Sequence, residues 1–400
     1  MRVVDRWVGI PACFLLTIVR RVAALFSRPG RPAPTNILFI ELAEMGSLVL
    51  AQPAVDRLRA AFPAARPHFL VFKGLKDSVV LLGHAKPDDV FTIDPANLFT
   101  LSRDALRFML GARRRRIDTV INLEMFTRVS SILSFLSGAR TRAGFYGFTQ
   151  PGLYIGDLLT HRVAYNPHVH TAQAFLSLVE SLGGDPANLP MGKFRTAPLA
   201  NVRKLTTDAA ARAHILSQLH QQNPSVAGKR LLLINPNASP LIEIRKWPLE
   251  KYIELVRRLL ADPANACVMT GVLAERPDAQ AVISQVNSDR IVDMTGRTSF
   301  KELIDLYNVA DLLVTNDSGP AQFAALTNIQ VVVFFGPETP KLYGPLTTRS
   351  AVMYSDFACS PCVSAYNQRL TPCTDNQCLK QIPVDTVYAA IQELLHARPA

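Results

Sequence analysis

Residues 311–336 read DLLVTNDSGPAQFAALTNIQVVVFFG, and this stretch decides the fold. DLLVTND and QVVVFFG are short, continuous apolar runs bounded by turn formers, the pattern of strands buried on both faces. Between them SGPAQFAAL reads as a helix, with Pro320 suited to a first helical turn. A strand, a helix and a second strand within so few residues predict neighbouring parallel strands joined by a crossover helix.

The same cycle extends outward in both directions. Upstream come RLLLINP (strand, 230–236), LEKYIELVRRLL (helix, 249–260) and NACVMTGV (strand, 265–272). A helix over Asp278–Val286, the strand RIVDMTG (290–296) and the helix FKELIDLYNVA (300–310) follow, and VDTVYAAIQELLHA (384–397) closes the chain. An earlier series begins at NILFIEL (36–42) and runs through PHFLVF (67–72), DVFTID (89–94) and DTVINLE (118–124), with helical patterns between. DPANLPMGKFRTAPLANVRK (185–204) is rich in Pro and Asn, lacks a period and separates the two series. The expected organisation is a leading segment 1–35, an α/β domain 36–200 and a second α/β domain 201–400, the two facing across a cleft.

Composition agrees with an enzyme-sized, core-forming chain. Its 400 residues are 48% hydrophobic and 19% charged, which excludes intrinsic disorder. Lys and Arg outnumber Asp and Glu by 43 to 32, a formal charge of +11. That balance points to an anionic partner: a phosphorylated substrate, a nucleic acid or an anionic bilayer. The leading segment carries WVGIPACFLLTIV (7–19), 13 apolar or neutral residues where a spanning helix needs ~20. Arg2, Arg6, Arg20, Arg21, Arg28 and Arg31 surround it. An interfacial helix on anionic lipid is the first reading, with a buried helix and a true span or signal as alternatives. Residues 27–35 (SRPGRPAPT) read as a stiff linker.

In open parallel sheets, ligands bind beyond the carboxyl ends of strands. Here those ends carry Asn235, Asn237 and Ser239, then Arg245, Lys246 and Trp247; Gly271 and Glu275; Gly296, Arg297 and Thr298; Asp317, Ser318 and Gly319; and Gly336, Pro337 and Thr339. Polar and glycine-bearing loops at every strand end suit a diphosphate-bearing ligand, although on its own 317–319 is better explained as an Asp-Ser cap on an ordinary helix.

Taken together, NPNASP…RKWPLEKYIELVRRL, GVLAE, MTGRTSFKELIDLYNVADLLVTNDSGPAQFAAL and FFGPETPKLYGPL resemble glycosyltransferase family 9, the heptosyltransferases of lipopolysaccharide core assembly and their relatives. ILFIELAEMGSLVLAQPAVDRLRAAFP resembles the opening of that family. The resemblance implies a GT-B fold, two Rossmann-like domains with the donor held mainly by the second. It also implies an inverting, metal-independent transfer from a nucleotide-diphospho-sugar, ADP-heptose first, to a lipid-linked glycan at the cytoplasmic face of the bacterial inner membrane. Carried over by residue, Asp317, Ser318 and Gly319 meet sugar and diphosphate, Arg245 or Lys246 the diphosphate, and Glu275 the ribose. Thr298 lies beside the base, with Asn237, Ser239 and Gln322 completing the donor loops. Two departures stand out: Gly46-Ser47 replaces the family's Gly-Asp, whose Asp is the expected base, and Gln322 replaces a common His. Glu44, then Glu41, are the carboxylates of that loop able to act as base in place of Ser47.

Cys359, Cys362, Cys373 and Cys378 have the spacing C-x2-C-x10-C-x4-C. Structural zinc, a disulfide and reduced thiols in a packed loop are all open readings. Nucleic acid is disfavoured as partner, because the basic residues are dispersed and no base-stacking aromatic module accompanies the cysteines. A nicotinamide oxidoreductase is disfavoured because no G-x-G-x-x-G follows an expected strand. A catalytically inactive sugar-nucleotide-binding or scaffold protein remains the alternative that Ser47 suggests.

Overall fold

The computed structural model describes residues 5, 7–25, 33–150, 152–186, 195–199, 201–238 and 240–396. The chain divides into two compact units, residues 1–200 and 201–400. The first holds a six-stranded sheet of β1 (Asn36–Ile40), β2 (Arg66–Phe72), β3 (Val90–Ile93), β4 (Thr119–Asn122), β5 (Thr141–Tyr146) and β6 (His161–Ala164). The second holds β7 (Arg230–Asn235), β8 (Asn265–Met269), β9 (Ile291–Asp293), β10 (Leu312–Asn316), β11 (Gln330–Phe335) and β12 (Ser350–Tyr354).

Every strand pairing is parallel. The orders are β3-β2-β1-β4-β5-β6 and β9-β8-β7-β10-β11-β12. Both are the doubly wound order 3-2-1-4-5-6, so each unit is Rossmann-like and the two share one topology. In each, the order reverses between the first and fourth strands, β1 against β4 and β7 against β10. The loops at those carboxyl ends are where such a sheet opens a ligand crevice.

The cores follow from the apolar runs. Phe39 stacks on Phe69, and Trp247 stacks on Phe334 with Tyr252 edge-on to both. The helix Leu249–Leu260 buries Tyr252, Ile253, Leu255, Val256, Leu259 and Leu260, the face expected of its period. Strand β5 and the helix Arg128–Leu136 carry two arginines that the core takes in. Both are held by the fold itself. Arg142 is 7% exposed, and its guanidinium donates to the carbonyls of Leu158 (2.6 Å) and Ala139. Arg128 is equally buried and pairs with Asp5 (3.0 Å) and the Gly152 carbonyl (3.0 Å).

The leading segment forms a helix, Gly9–Leu25, that packs on the helix Arg128–Leu136 of the first unit. Among the described residues, no helix is long and apolar enough to cross a membrane. The linker reading of residues 27–35 falls mostly outside the described residues.

Candidate functional site

At the reversal point of the second unit, Asn316 organises the loops. It ends β10; its amide donates to the Pro236 (2.9 Å) and Asn237 (3.1 Å) carbonyls and its Oδ1 accepts from the Trp247 amide (2.8 Å). The β7 loop and the segment carrying Arg245 are thereby fastened to the end of β10. Asn376, in the cysteine-bearing loop, adds two bonds of 2.8 Å to the Ile244 and Lys246 carbonyls.

On this frame Arg245 Nη1 lies 3.4 Å from Asp317 Oδ2, both side chains being largely buried. Burial raises the Asp317 carboxyl above the ordinary carboxylate range, and the Arg245 charge opposes that rise. Glu338, two residues beyond Gly336, is 2% exposed and its Oε2 has no hydrogen-bond partner. Burial, reinforced by the Asp317 charge, pushes its carboxyl well above the usual range. Asn237 is 1% exposed, and neither its amide nitrogen nor its oxygen finds a partner. Unsatisfied buried polar groups of this kind are costly. Glu338 lies within electrostatic reach of Asp317 and of Arg245, whose Nε is uncommitted, and Asn316 fastens the Asn237 backbone to the same strand end, an arrangement suited to receiving a polar group.

The other expected donor residues divide. Lys246 turns from Asp317 to Asp278 (3.1 Å), where it faces an open cavity also bordered by Pro236, Trp247 and Lys380. Glu275 sits after β8 with Oε2 accepting from the Val272 amide (2.9 Å), its carboxyl raised by burial. Gly271 is left-handed (φ +152°), and a Cβ there would stand 2.6 Å from Glu275 Oε2, so glycine is required for this approach. Thr298 is half-buried in the loop after β9. Ser318 Oγ donates to the Asn316 carbonyl (3.2 Å). A Cβ on Gly319 would meet the Phe323 ring at 2.9 Å. Gln322 is buried and donates to the Tyr343 carbonyl (2.6 Å), which commits its amide nitrogen to the fold. Ser239 lies outside the described residues.

The first unit has its own cluster at the matching position. Glu41 follows β1 and is 4% exposed, with Oε1 accepting from the Glu44 amide (3.3 Å). Glu44 precedes the helix Met45–Leu50, and Ser47 Oγ donates to Glu44 Oε2 (3.0 Å). Glu124, at the end of β4, accepts from the Leu42 amide (2.7 Å) and the Thr127 hydroxyl (3.2 Å), with its carboxyl raised by burial. Ser47 therefore occupies the helix's first turn as a hydrogen-bond donor to the neighbouring carboxylate.

The model for glycosyltransferase family 9 (heptosyltransferase) matches residues 106–371. The chain belongs to that family. A lipooligosaccharide heptosyltransferase 2 of Campylobacter jejuni is 26% identical over 183 residues, 44% of this chain and 56% of the relative. The match thus spans about half the length of that curated relative. The structure of the Escherichia coli ADP-heptose lipopolysaccharide heptosyltransferase II superposes with a TM-score of 0.67 at 18% identity, covering 90% of this chain and 98% of the other. The Escherichia coli heptosyltransferase WaaC with ADP gives 0.63 at 16% identity, covering 90% and 100%. These superpositions establish the shared GT-B-like fold.

Within this family member the matched stretch takes in the Arg245–Asp317 centre and Glu338, and leaves out the loop of Glu41 and Glu44. Sequence reasoning passed over Glu338, Glu124 and Asn316. Each ends an apolar strand or lies within three residues of its end, the one signal that was available for them. The zinc reading finds no support. Among the described residues no three His, Cys, Asp or Glu side chains are placed to hold a metal. Cys359, Cys362, Cys373 and Cys378 are free thiols in the structure. Cys359 is exposed while Cys378 is buried beneath Gly336, where a Cβ would come within 2.7 Å of its sulfur. The loop instead braces the site: Cys362 and Val363 amides donate to the Pro337 carbonyl (3.0 and 2.9 Å), and Arg369 Nε lies 3.8 Å from Glu338 Oε1.

Proposed function

We propose that this chain transfers a sugar, heptose first, from a nucleotide-diphospho-sugar to a lipid-linked glycan acceptor of the lipopolysaccharide-core type. The setting is the cytoplasmic face of a bacterial inner membrane, and the reaction proceeds with inversion and without a metal. The observation that carries this reading is the buried Arg245–Asp317 pair, with the unpartnered Asn237 side chain on the adjoining β7 loop, inside the family-matched stretch and at the sheet's reversal point. A structural relative is described as bound to ADP, which makes ADP the first nucleotide to test.

In the reaction, an acceptor hydroxyl oxygen attacks the anomeric carbon as the bond to the diphosphate breaks. The hydroxyl proton passes to a carboxylate, for which Glu44 is the choice and Glu41 the reserve. The negative charge gathering on the leaving diphosphate is stabilised by Arg245, a guanidinium held in a site of low dielectric, where such stabilisation is strongest. Asp317 aims that guanidinium. Asn237, Ser239, Lys246, Ser318, Gly319 and Gln322 border the donor, with Glu275 at the ribose and Thr298 at the base.

A second reading rests on Ser47, which stands where the resembled family carries its expected base. In that case the chain binds the sugar nucleotide without turning it over. Calorimetric binding against ADP-, UDP-, GDP- and CDP-sugars, followed by transfer assays with ADP-heptose and a lipid-linked core acceptor, separates the outcomes. ADP-sugar binding with transfer supports the enzyme. Binding without transfer across acceptors supports the second reading, and no binding of any sugar nucleotide removes both.

A further inference from the structure

The helix Gly9–Leu25 is amphipathic in the wrong sense for a helix docked on a protein body. Its buried residues are Gly9, Cys13 and Thr17, spaced four apart on one stripe. Its large apolar side chains face outward: Trp7 is 74% exposed, Phe14 57%, Leu15 61% and Leu25 81%, with Ile18 and Val22 near half. Nine of the nineteen large apolar side chains exposed among the described residues fall within residues 7–25. A contiguous apolar face of this kind marks an interaction surface.

The orientation is built, not incidental. Gly9 meets Arg128 so closely that a Cβ would stand 2.9 Å from the Arg128 Cβ. On the other side Gly156 (φ +73°) lies against the helix, where a Cβ would be 2.8 Å from the Cys13 carbonyl oxygen. Polar ties fix both ends. Asp5 accepts from Arg128 and from the Val129 amide (both 3.0 Å); Thr17 Oγ1 accepts from the Asp157 amide (2.8 Å); and Arg20 pairs with Asp157. Rolling the helix to bury its apolar face would break all of these.

The charges beside the face select its partner. The segment 6–31 contains no Asp or Glu, while Arg6, Arg20, Arg21, Arg28 and Arg31 lie along it. The two acids nearest the helix are already neutralised, Asp5 by Arg128 and Asp157 by Arg20, Arg21 and Arg162. An outward apolar face with an exposed Trp at its start, on a stretch whose sequence is rich in arginine and free of acids, fits the headgroup and acyl boundary of an anionic bilayer. At 17 residues and ~25 Å, and packed on the helix Arg128–Leu136, the helix is shorter than the ~20 residues that a span needs.

We infer that the helix Gly9–Leu25 is an in-plane anchor that seats the first unit on an anionic lipid surface. This does not depend on the transferase reading. The chain contains two tryptophans, Trp7 in this segment and Trp247, which is 1% exposed. Addition of phosphatidylglycerol/phosphatidylcholine vesicles to the full chain should therefore shift Trp7 emission to the blue and make it quenchable by brominated lipid. Pure phosphatidylcholine should do so far less. The triple variant Phe14→Glu, Leu15→Glu, Ile18→Glu should cosediment with the anionic vesicles about 100-fold less well, with its unfolding midpoint retained because all three side chains are exposed. Undiminished vesicle binding by that variant overturns the proposal. So does absence of vesicle binding by the wild type, whether it sediments as a monomer or as a dimer that the triple variant abolishes; the dimer would assign the face to a second copy of the chain.

Discussion

Arg245 Nη1 stands 3.4 Å from Asp317 Oδ2, with one side chain 13% and the other 6% exposed. Removing one partner of a buried ion pair leaves the other uncompensated, a loss of roughly 3–5 kcal/mol. Arg245→Ala should therefore lower the urea-unfolding free energy by an amount of that order. It should also weaken ADP-sugar binding by about 100-fold, since one charge-assisted diphosphate contact goes with it. Arg245→Lys, which keeps charge but loses the planar fork, should recover stability better than affinity. Calorimetric titration with ADP alongside urea melts checks both. Unchanged ADP affinity in Arg245→Ala would remove the residue from the donor site.

Glu338 provides a pH test. Its carboxyl is raised well above the ordinary value by burial and by the Asp317 charge. A raised folded value means the protonated form is favoured in the fold. The stabilisation it gives is complete below the unfolded carboxyl range and is lost as pH rises through the folded value. Glu338→Gln preserves the neutral shape, so its melting temperature should exceed that of the wild type by a margin that grows as pH rises above ~4.5. Each kcal/mol gained corresponds to roughly 2–4 °C in a unit of this size. A pH-independent difference in calorimetric melts between pH 4 and 8 would contradict the placement of this buried acid.

Glu44 is the residue proposed to take the acceptor proton. Glu44→Gln can still accept the Ser47 hydroxyl, so the local hydrogen bond survives. Turnover should fall by roughly 10²–10⁴ while ADP-sugar affinity stays within about twofold. Single-turnover transfer assays paired with calorimetry measure the two separately. Near-normal turnover moves the role to Glu41 or away from this loop.

The Rossmann-like cycles were legible because a strand buried on both faces must be an apolar run, and these runs are short and well punctuated. NILFI and QVVVFF could hardly be anything else. The helix Arg128–Leu136 was not legible. Its sequence RVSSILSFL places serines where helix formers are expected. Ser130, Ser131 and Ser134 satisfy their hydroxyls on carbonyls one turn back, which no propensity reveals. The donor loops could be named from strand ends and the family resemblance, yet which base faces Asp317 could not. Arg245 and Lys246 are adjacent in sequence, and only the hold of Asn316 on the Trp247 amide sends one to Asp317 and the other to Asp278. Glu338 was invisible for a related reason: an acid acquires a raised pKa only from the tertiary burial around it. In the leading helix the apolar run was legible, but not that the small residues Gly9, Cys13 and Thr17 would take the buried side.

Arg142 separates a structural arginine from a ligand-binding one. Its guanidinium donates to the Leu158 carbonyl at 2.6 Å and to the Ala139 carbonyl, and lies 5.5 Å over the Phe135 ring. Burial brings its pKa down to about 10, with the Arg20 charge contributing, so the side chain stays charged at neutral pH at a desolvation cost that these carbonyls offset. Arg142→Met keeps the bulk of the stem and removes both donors, leaving two buried carbonyls unsatisfied at roughly 1–3 kcal/mol each. Urea unfolding should therefore lose about 2–5 kcal/mol for the step that reports the first unit. Arg140, two residues away and exposed, should change stability by less than about 0.5 kcal/mol when replaced by Ala. The signature of the structural role is instability in Arg142→Met with unaltered ADP-sugar affinity in the protein that remains folded. A stable Arg142→Met that loses acceptor saturation would instead place this arginine in the acceptor site.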